Sequence, residues 1–254
     1  MEEKTKNPIQ VADRLFLTLE TLAETGPIAL ADLQSRLQLN KSTVHRLLTS
    51  LIYLGYVRQD AETGLYSLSF KILSLSNRLL EKLDIIDTIR PHLKKLAEET
   101  GETVHFVQLD GTEAVYIEKE ESYQNSVRMV SKIGSRVPLY CSGVGKAILA
   151  DLPEDKIRSI WNASDIRALT KYTITEFPQF MKHLEQVRAN GYALDWEENE
   201  LGVRCIAVSI PRYDKMPRYA LSISAPAARM SEEDIQKWIP VMLNIKKQLL
   251  SILT

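Results

Sequence analysis

Apolar residues in the first quarter of the chain recur at helical spacing, and the breaks between them fall on turn formers. Val11, Leu15, Leu19 and Leu22 lie three or four apart and form one stripe of a helix predicted over residues 9–24, which Gly26-Pro27 ends. Leu30, Leu33 and Leu37 make the inner face of a short helix over residues 29–37. A tight break follows at Gln38-Leu39-Asn40. Asn40 stands where a side-chain cap is wanted. Val44, Leu47, Leu48, Leu51 and Leu54 then point inward from a helix over residues 41–54 that Gly55 closes. Residues 56–58 and 65–68 have strand character around a turn at Glu62-Thr63-Gly64. Three helices and a hairpin in this order make a winged helix-turn-helix, residues 7–69.

The pattern turns helical again from residue 70 to 83, with no Pro or Gly. This segment reads as a linker helix whose apolar face also serves dimer contacts. Asp84 is placed to cap the next helix, which reaches Glu99 and ends at Gly101, and Pro91 inside it predicts a break or kink. Beyond it, strands are predicted at 104–109 and 114–118, as a hairpin around Asp110-Gly111, and at 126–131, 192–196, 205–210 and 219–224. Helices are predicted at 143–150, after Pro153, at 177–190 and at the C-terminus, where Ser231 is the cap. Loops instead of helices separate several strands, so an α+β domain with a mainly antiparallel sheet is favoured over a Rossmann order. This second domain spans residues 84–254.

A length of 254 residues agrees with two domains, and 44% hydrophobic with 26% charged residues is ordinary for a globular chain. Disorder is expected in residues 1–6 alone. No apolar run approaches the ~18 residues of a membrane span, and no export signal is present. Cys141 and Cys205 are far apart in sequence and read as reduced thiols of a cytoplasmic protein. A net charge of -1 excludes a chain coated in basic residues, so any nucleic-acid contact has to come from a local patch, doubled by dimerisation.

Such a patch exists. Between Leu33 and Gln59 there is no Asp or Glu, yet Arg36, Lys41, His45, Arg46 and Arg58 fall there. In a helix-turn-helix the N-terminal residues of the second helix meet base edges, here Lys41, Ser42, Thr43, His45 and Arg46. Ser42 and Thr43 suit phosphate or base edges, and Arg46 suits guanine or phosphate. Arg58 and the wing tip would lie on the DNA backbone or minor groove. The competing readings are a solvated polar face and a winged helix used for protein docking. His45 has no Cys or second His at ligand spacing, which disfavours a metal.

The segment NKSTVHRLLTSLIYLGYV resembles the helix-turn-helix of the IclR family of bacterial transcriptional regulators. VPLYCSGVGKAILA, GYALDWEENELGVRCIAVSI and LSISAPAARM resemble three further blocks of that family, in the family's order. Tyr140 departs from the pattern, since the family commonly has His there. The resemblance implies dimers or tetramers with a GAF-like effector domain, and a pocket built by Gly143, Val144, Asp195, Cys205, Ser222 and Ser224. Within the family, NPIQVADRLFLTLETLAETG resembles the regulators of 2-keto-3-deoxygluconate catabolism.

The chemistry of these residues is compatible with that pocket. Ser222 and Ser224, two apart in a strand, face one side. Gly143-Val144-Gly145 precedes a helix and offers amides to a carboxylate. Each also has a plainer role. Cys205 can be a small buried hydrophobe, the glycines a tight turn, the serines ordinary sheet residues, and Asp195 a turn cap or partner of Arg204. Glu197-Glu198-Asn199-Glu200 reads as a solvated loop. An enzyme would need Cys141 or Cys205 with His105 as nucleophile and base, which no motif fixes. A zinc site from both cysteines and a His has equally little to fix it. Gly143-Val144-Gly145-Lys146 lacks the spacing of a phosphate loop. The expected protein is therefore a homo-oligomeric repressor reading a palindromic operator under control of a small carboxylate, with no cofactor, metal or membrane. The alternative is a dimeric small-molecule enzyme with a docking winged helix.

Overall fold

The computed structural model describes residues 7–80, 84–122, 125, 129–211 and 217–253. The expected disorder of residues 1–6, the end of the linker helix at 81–83 and the first half of the strand expected at 126–131 lie outside them. The chain divides into two compact units, Met1–Leu83 and Asp84–Thr254.

In the first unit, α1 (Gln10–Thr25), α2 (Leu30–Leu37) and α3 (Lys41–Tyr53) precede a two-stranded antiparallel wing, β1 (Val57–Gln59) and β2 (Tyr66–Leu68), and α4 (Lys71–Leu80) follows. Leu22, Leu33, Val44, Leu48, Leu51 and Val57 form its buried centre. Each such side chain contributes about 1.5–3 kcal/mol on burial, so this small core outweighs any single capping interaction. Two expected inward residues are not inward. Val11, in the first turn of α1, is 55% exposed, and Leu54 follows the end of α3, where the chain has left the buried face, and is 46% exposed. Thr18 takes a core place instead, its hydroxyl satisfied by the carbonyl of Arg14. Asn40 occupies the N-cap position of α3 with an extended backbone, but its side chain makes no capping bond. The turn before it is made by Gln38 at φ 53°, a left-handed conformation that ends α2. The wing turn is organised by the Asp60 carboxylate, which accepts from Glu62 N, Thr63 N and Thr63 Oγ1.

The second unit begins with α5 (Asp84–Thr100), which continues through Pro91 without the expected break. Pro91 lies on the exposed face, so the carbonyl it strands, that of Asp87, meets water. The opposite face buries Ile86, Ile89, Leu93 and Leu96, which outweighs the roughly 3 kcal/mol an interior proline costs. There follow β3 (Thr103–Asp110), β4 (Glu113–Glu120), β5 (Arg136–Pro138), α6 (Gly143–Ala150), α7 (Glu154–Ala163), α8 (Phe177–Asn190), β6 (Ala193–Trp196), β7 (Val203–Pro211), β8 (Pro217–Pro226) and α9 (Glu232–Leu253). Ser231 caps α9 as expected, accepting from Asp234 N while Asp234 accepts from Ser231 N. The strands form one antiparallel sheet in the order β5-β4-β3-β8-β7-β6. The short β5 was not expected, and Met129–Ser131 are not strand.

Alternation along β7 and β8 makes the two faces of this sheet unlike. Ile206, Val208, Leu221 and Ile223 are bulky and buried on one face, the side of α5 and α9. Cys205, Ala207, Ala220, Ser222 and Ser224 are small on the other, where α6 packs across β6, β7 and β8. Small side chains under a helix leave room, and that is where the site lies.

Candidate functional site

In the first unit, Lys41, Ser42, His45 and Arg46 are all exposed and share one shallow concavity with Leu30. Their spacing puts them on the outer face of the first two turns of α3, opposite Val44, Leu47 and Leu48. Thr43 is half-buried beside that face. Arg36 lies apart, in a surface depression of α2 with Asp32 and Ser35. Arg58 is partly engaged, donating to Ser67 Oγ at 3.2 Å with its guanidinium 5.7 Å from the Phe70 ring. The wing tip itself exposes Glu62, a charge that repels phosphate. Sequence reasoning missed Lys71, whose ammonium donates to the carbonyl of Leu54 at 2.8 Å and sits 4.6 Å from the Tyr56 ring. It compensates the C-terminal end of α3 and ties it to the wing.

In the second unit, Gly143, Val144, Asp195, Cys205, Ser222 and Ser224 all line one cavity of about 310 Å³. Sheet register explains the convergence. Asp195 pairs with Cys205 and Cys205 with Ser224, one row across β6, β7 and β8. Ala207 pairs with Ser222 and Ser222 with His105, the adjacent row. Gly143, Val144 and Gly145 do not precede α6; they are its first turn. Ser142 is the cap, accepting from Gly145 N at 3.2 Å. A Cβ on Gly145 would fall 2.3 Å from Leu139 Cα, so only glycine lets this turn meet the end of β5. A Cβ on Gly143 would press on Ala207 and on the backbone of Asp195 at 3.4 Å.

Asp195 is both turn cap and pocket wall. Its carboxylate accepts from Glu198 N at 2.8 Å and Asn199 N at 3.4 Å, while burial pushes its pKa up to about 7 against the opposing pull of Lys146. Arg204 pairs with Glu197 instead, at 3.0 Å, and stacks on Trp196. The loop expected to be solvated is therefore structural. Glu198 is buried in an ion pair with Lys146, whose side chain is fully enclosed, so Lys146 is not a phosphate ligand. Tyr140 does not reach the cavity. Its hydroxyl donates to the carbonyl of Arg167 at 3.0 Å and accepts from Arg167 N at 3.2 Å, which pins the loop after α7. Burial pushes both thiols up, Cys141 to about 12, so neither supplies a thiolate at pH 7. Among the described residues, no group of three or more His, Cys, Asp and Glu side chains is placed to hold a metal ion, and no helix is long and apolar enough to cross a membrane. His105, Tyr116 and Ser131 also line the cavity and were not assigned to it from sequence. Only His105 carried a signal, a lone polar residue between the apolar residues Val104 and Phe106 of a predicted strand.

With this geometry in hand, comparison with known proteins is decisive. The family model described as the IclR helix-turn-helix domain matches residues 11–61, and that of the bacterial transcriptional regulator IclR C-terminal domain matches residues 77–249. The chain belongs to the IclR family. It is 37% identical over 242 residues to the HTH-type transcriptional regulator KdgR of Escherichia coli K12, covering 94% of this chain and 91% of that one. It is 40% identical over 205 residues to the DNA-binding transcriptional repressor YiaJ of the same organism, covering 80% and 73%. The crystal structure of Thermotoga maritima IclR superposes with a TM-score of 0.84 at 29% identity, covering 96% of this chain and 98% of that one. This IclR-family chain is a DNA-binding transcriptional regulator. The enzyme alternative has no support, since the families and relatives matched are regulators. The narrower likeness seen in the N-terminal run agrees with the KdgR match.

Proposed function

We propose that this regulator is a cytoplasmic homo-oligomeric repressor of a palindromic operator, released by a small carboxylate, with 2-keto-3-deoxygluconate the foremost candidate. Residues 7–69 read DNA, 70–83 link, and 84–254 sense the effector. The observation that carries the reading is the cavity of about 310 Å³ on which Gly143, Val144, Asp195, Cys205, Ser222 and Ser224 converge. Its size lies at the small end of ligand pockets and suits a short acid. The amides of Gly143 and Val144 at the start of α6 take the carboxylate, and the serine hydroxyls take the remaining oxygens. On DNA, Arg46 and His45 meet base edges, Lys41, Ser42 and Thr43 meet base edges or phosphate, and Arg36 and Arg58 hold backbone. The exposed apolar side chains Leu73, Leu75 and Leu79 of α4 support self-association. The relative named as a repressor supports the negative sign. Control is a population shift: the effector favours the state that binds DNA less well.

The test starts from an operator selected out of random duplexes by the full-length protein, followed by titration with 2-keto-3-deoxygluconate, pyruvate and aromatic acids. The expected result is weakened DNA binding on addition of one of these acids. Ser222→Ala with Ser224→Ala abolishes that response and leaves effector-free DNA affinity near wild type. If calorimetry detects none of the acids, the effector class is wrong. If the double variant binds an acid as tightly as wild type, the residue assignment is wrong.

A further inference from the structure

One polar edge of the cavity is organised by a residue outside the six named above. His105 is 2% exposed and stands across the β3–β8 ladder from Ser222. Its Nδ1 lies 3.2 Å from Ser224 Oγ, its Nε2 lies 2.6 Å from Ser131 Oγ, and Ser222 Oγ lies 3.4 Å from Ser224 Oγ. Ser131, His105, Ser224 and Ser222 thus form one hydrogen-bonded run, and all four line the cavity. Ser131 is held from behind by the ammonium of Lys119, which donates to the carbonyls of Ser131 at 2.7 Å and Met129 at 2.8 Å.

Burial and the Lys119 ammonium hold the imidazole down at about 3, so the ring is neutral at pH 7. A neutral imidazole donates from one nitrogen and accepts at the other, so the run has two polarities. With the proton on Nδ1, the ring donates to Ser224; where Ser224 donates on to Ser222 and not to the neighbouring Cys205 sulfur, the Ser222 hydroxyl hydrogen is left for an acceptor in the cavity. With the proton on Nε2, the ring donates to Ser131 and accepts from Ser224, and Ser224 Oγ is left to accept. The two distances choose between them. A separation of 2.6 Å is short for an N–H donor and ordinary for an O–H donor, which fits Ser131 donating to Nε2. A separation of 3.2 Å suits Nδ1–H on Ser224.

We infer that His105 is a specificity-determining residue of the effector cavity: through the Nδ1–H tautomer it makes the Ser224–Ser222 edge a donor, which selects an oxo-acid over the matching hydroxy-acid. The inference rests on the effector reading of the cavity. With the carboxylate at the first turn of α6, the keto oxygen accepts from Ser222. A hydroxyl there must turn its own hydrogen away from this edge or force the ring into the other tautomer. Exchange between tautomers leaves composition and charge unchanged, because the proton lost at Nε2 is matched by the one gained at Nδ1.

The experiment uses full-length protein and two pairs of probes, pyruvate with lactate and 2-keto-3-deoxygluconate with its 2-hydroxy reduction product, by calorimetry. Wild type is expected to prefer the oxo member of a pair by about fivefold or more, the worth of roughly one hydrogen bond. His105→Phe is expected to bring the two members to near equality, and His105→Gln to retain part of the preference. Ring-nitrogen NMR on wild type, which requires no variant, is expected to show Nδ1 protonated with the oxo-acid bound. Equal binding of both members by wild type, undiminished preference in a folded His105→Phe, or a proton on Nε2 in the complex overturns the role of His105 and leaves the effector reading standing. Binding of no probe by wild type overturns the effector reading and this role with it.

Discussion

The two units place their chemistry in opposite physical settings. In the reading unit, Lys41, Ser42, His45 and Arg46 are exposed, lie within six residues of sequence, and belong to one helix. In the second unit, His105, Asp195, Ser222 and Ser224 are buried and come from three strands of one sheet. An exposed group acts on its partner with little effect on folding. A buried polar group is tied to folding whether or not a ligand is bound, because desolvation must be offset inside the protein. Function and stability should therefore separate in the first unit and stay joined in the second.

The strongest way to break this contrast is Lys146→Met. It leaves the Glu198 carboxylate buried without its ammonium partner, near the equally buried Asp195. A loss of about 3–5 kcal/mol in urea unfolding is expected. A loss below about 1 kcal/mol would mean that the interior is far more hydrated than its exposure indicates.

The pH dependence of stability tests the same interior. Burial raises the Asp195 value from 3.8 to about 7, so the folded state keeps a proton that the unfolded chain has released. That contribution is complete below about pH 3.8, declines as pH rises to about 7, and stays lost above. His105 runs the other way, because its value falls from 6.5 to about 3, and its contribution grows as pH rises from about 3 to 6.5. The two slopes oppose each other between about pH 4 and 6.5. Asp195→Asn should stabilise the protein at pH 8, by an amount on the order of a few kcal/mol, and turn the profile below pH 6.5 into a rising one. Unfolding midpoints of Asp195→Asn equal to those of wild type at both pH 5 and pH 8 would count against a buried Asp195 with a raised pKa.

Arg46→Ala sharpens the contrast from the other side. Operator binding should weaken by about 1–3 kcal/mol, with unfolding free energy within about 0.5 kcal/mol of wild type. Lys41→Ala should weaken all sequences alike and reduce the salt slope by about one. Normal footprints and salt slopes for both variants would remove α3 from the DNA.

Helical periodicity placed α1, α2, α3 and α8 to within a few residues, because burial of an apolar stripe decides each of them locally. It failed at residues whose fate depends on distant neighbours. Pro91 sits in an unbroken helix because its stranded carbonyl faces water while Ile89 and Leu93 are buried on the sheet. Type and position make Asn40 the expected side-chain cap, but Gln38 makes the turn. Glu198 looked solvated within an acidic run, and its partner Lys146 is 52 residues away.

The exposed basic face of α3 and the identity of the family were present in the linear sequence. The register of α3 sets Lys41, Ser42, His45 and Arg46 on one exposed face, and the motif blocks need no fold to be matched. The cavity was legible as a set of residues but not as an object. Only antiparallel register sets Asp195, Cys205 and Ser224 in one row and His105 against Ser222. Only the close seating of α6 on the end of β5, allowed by Gly145, roofs those rows. Pairings across more than 100 residues, such as His105 with Ser224, are decided by the packing of the whole sheet. The charge state of every group buried among them follows from that packing, because desolvation is a property of the surroundings and not of the residue.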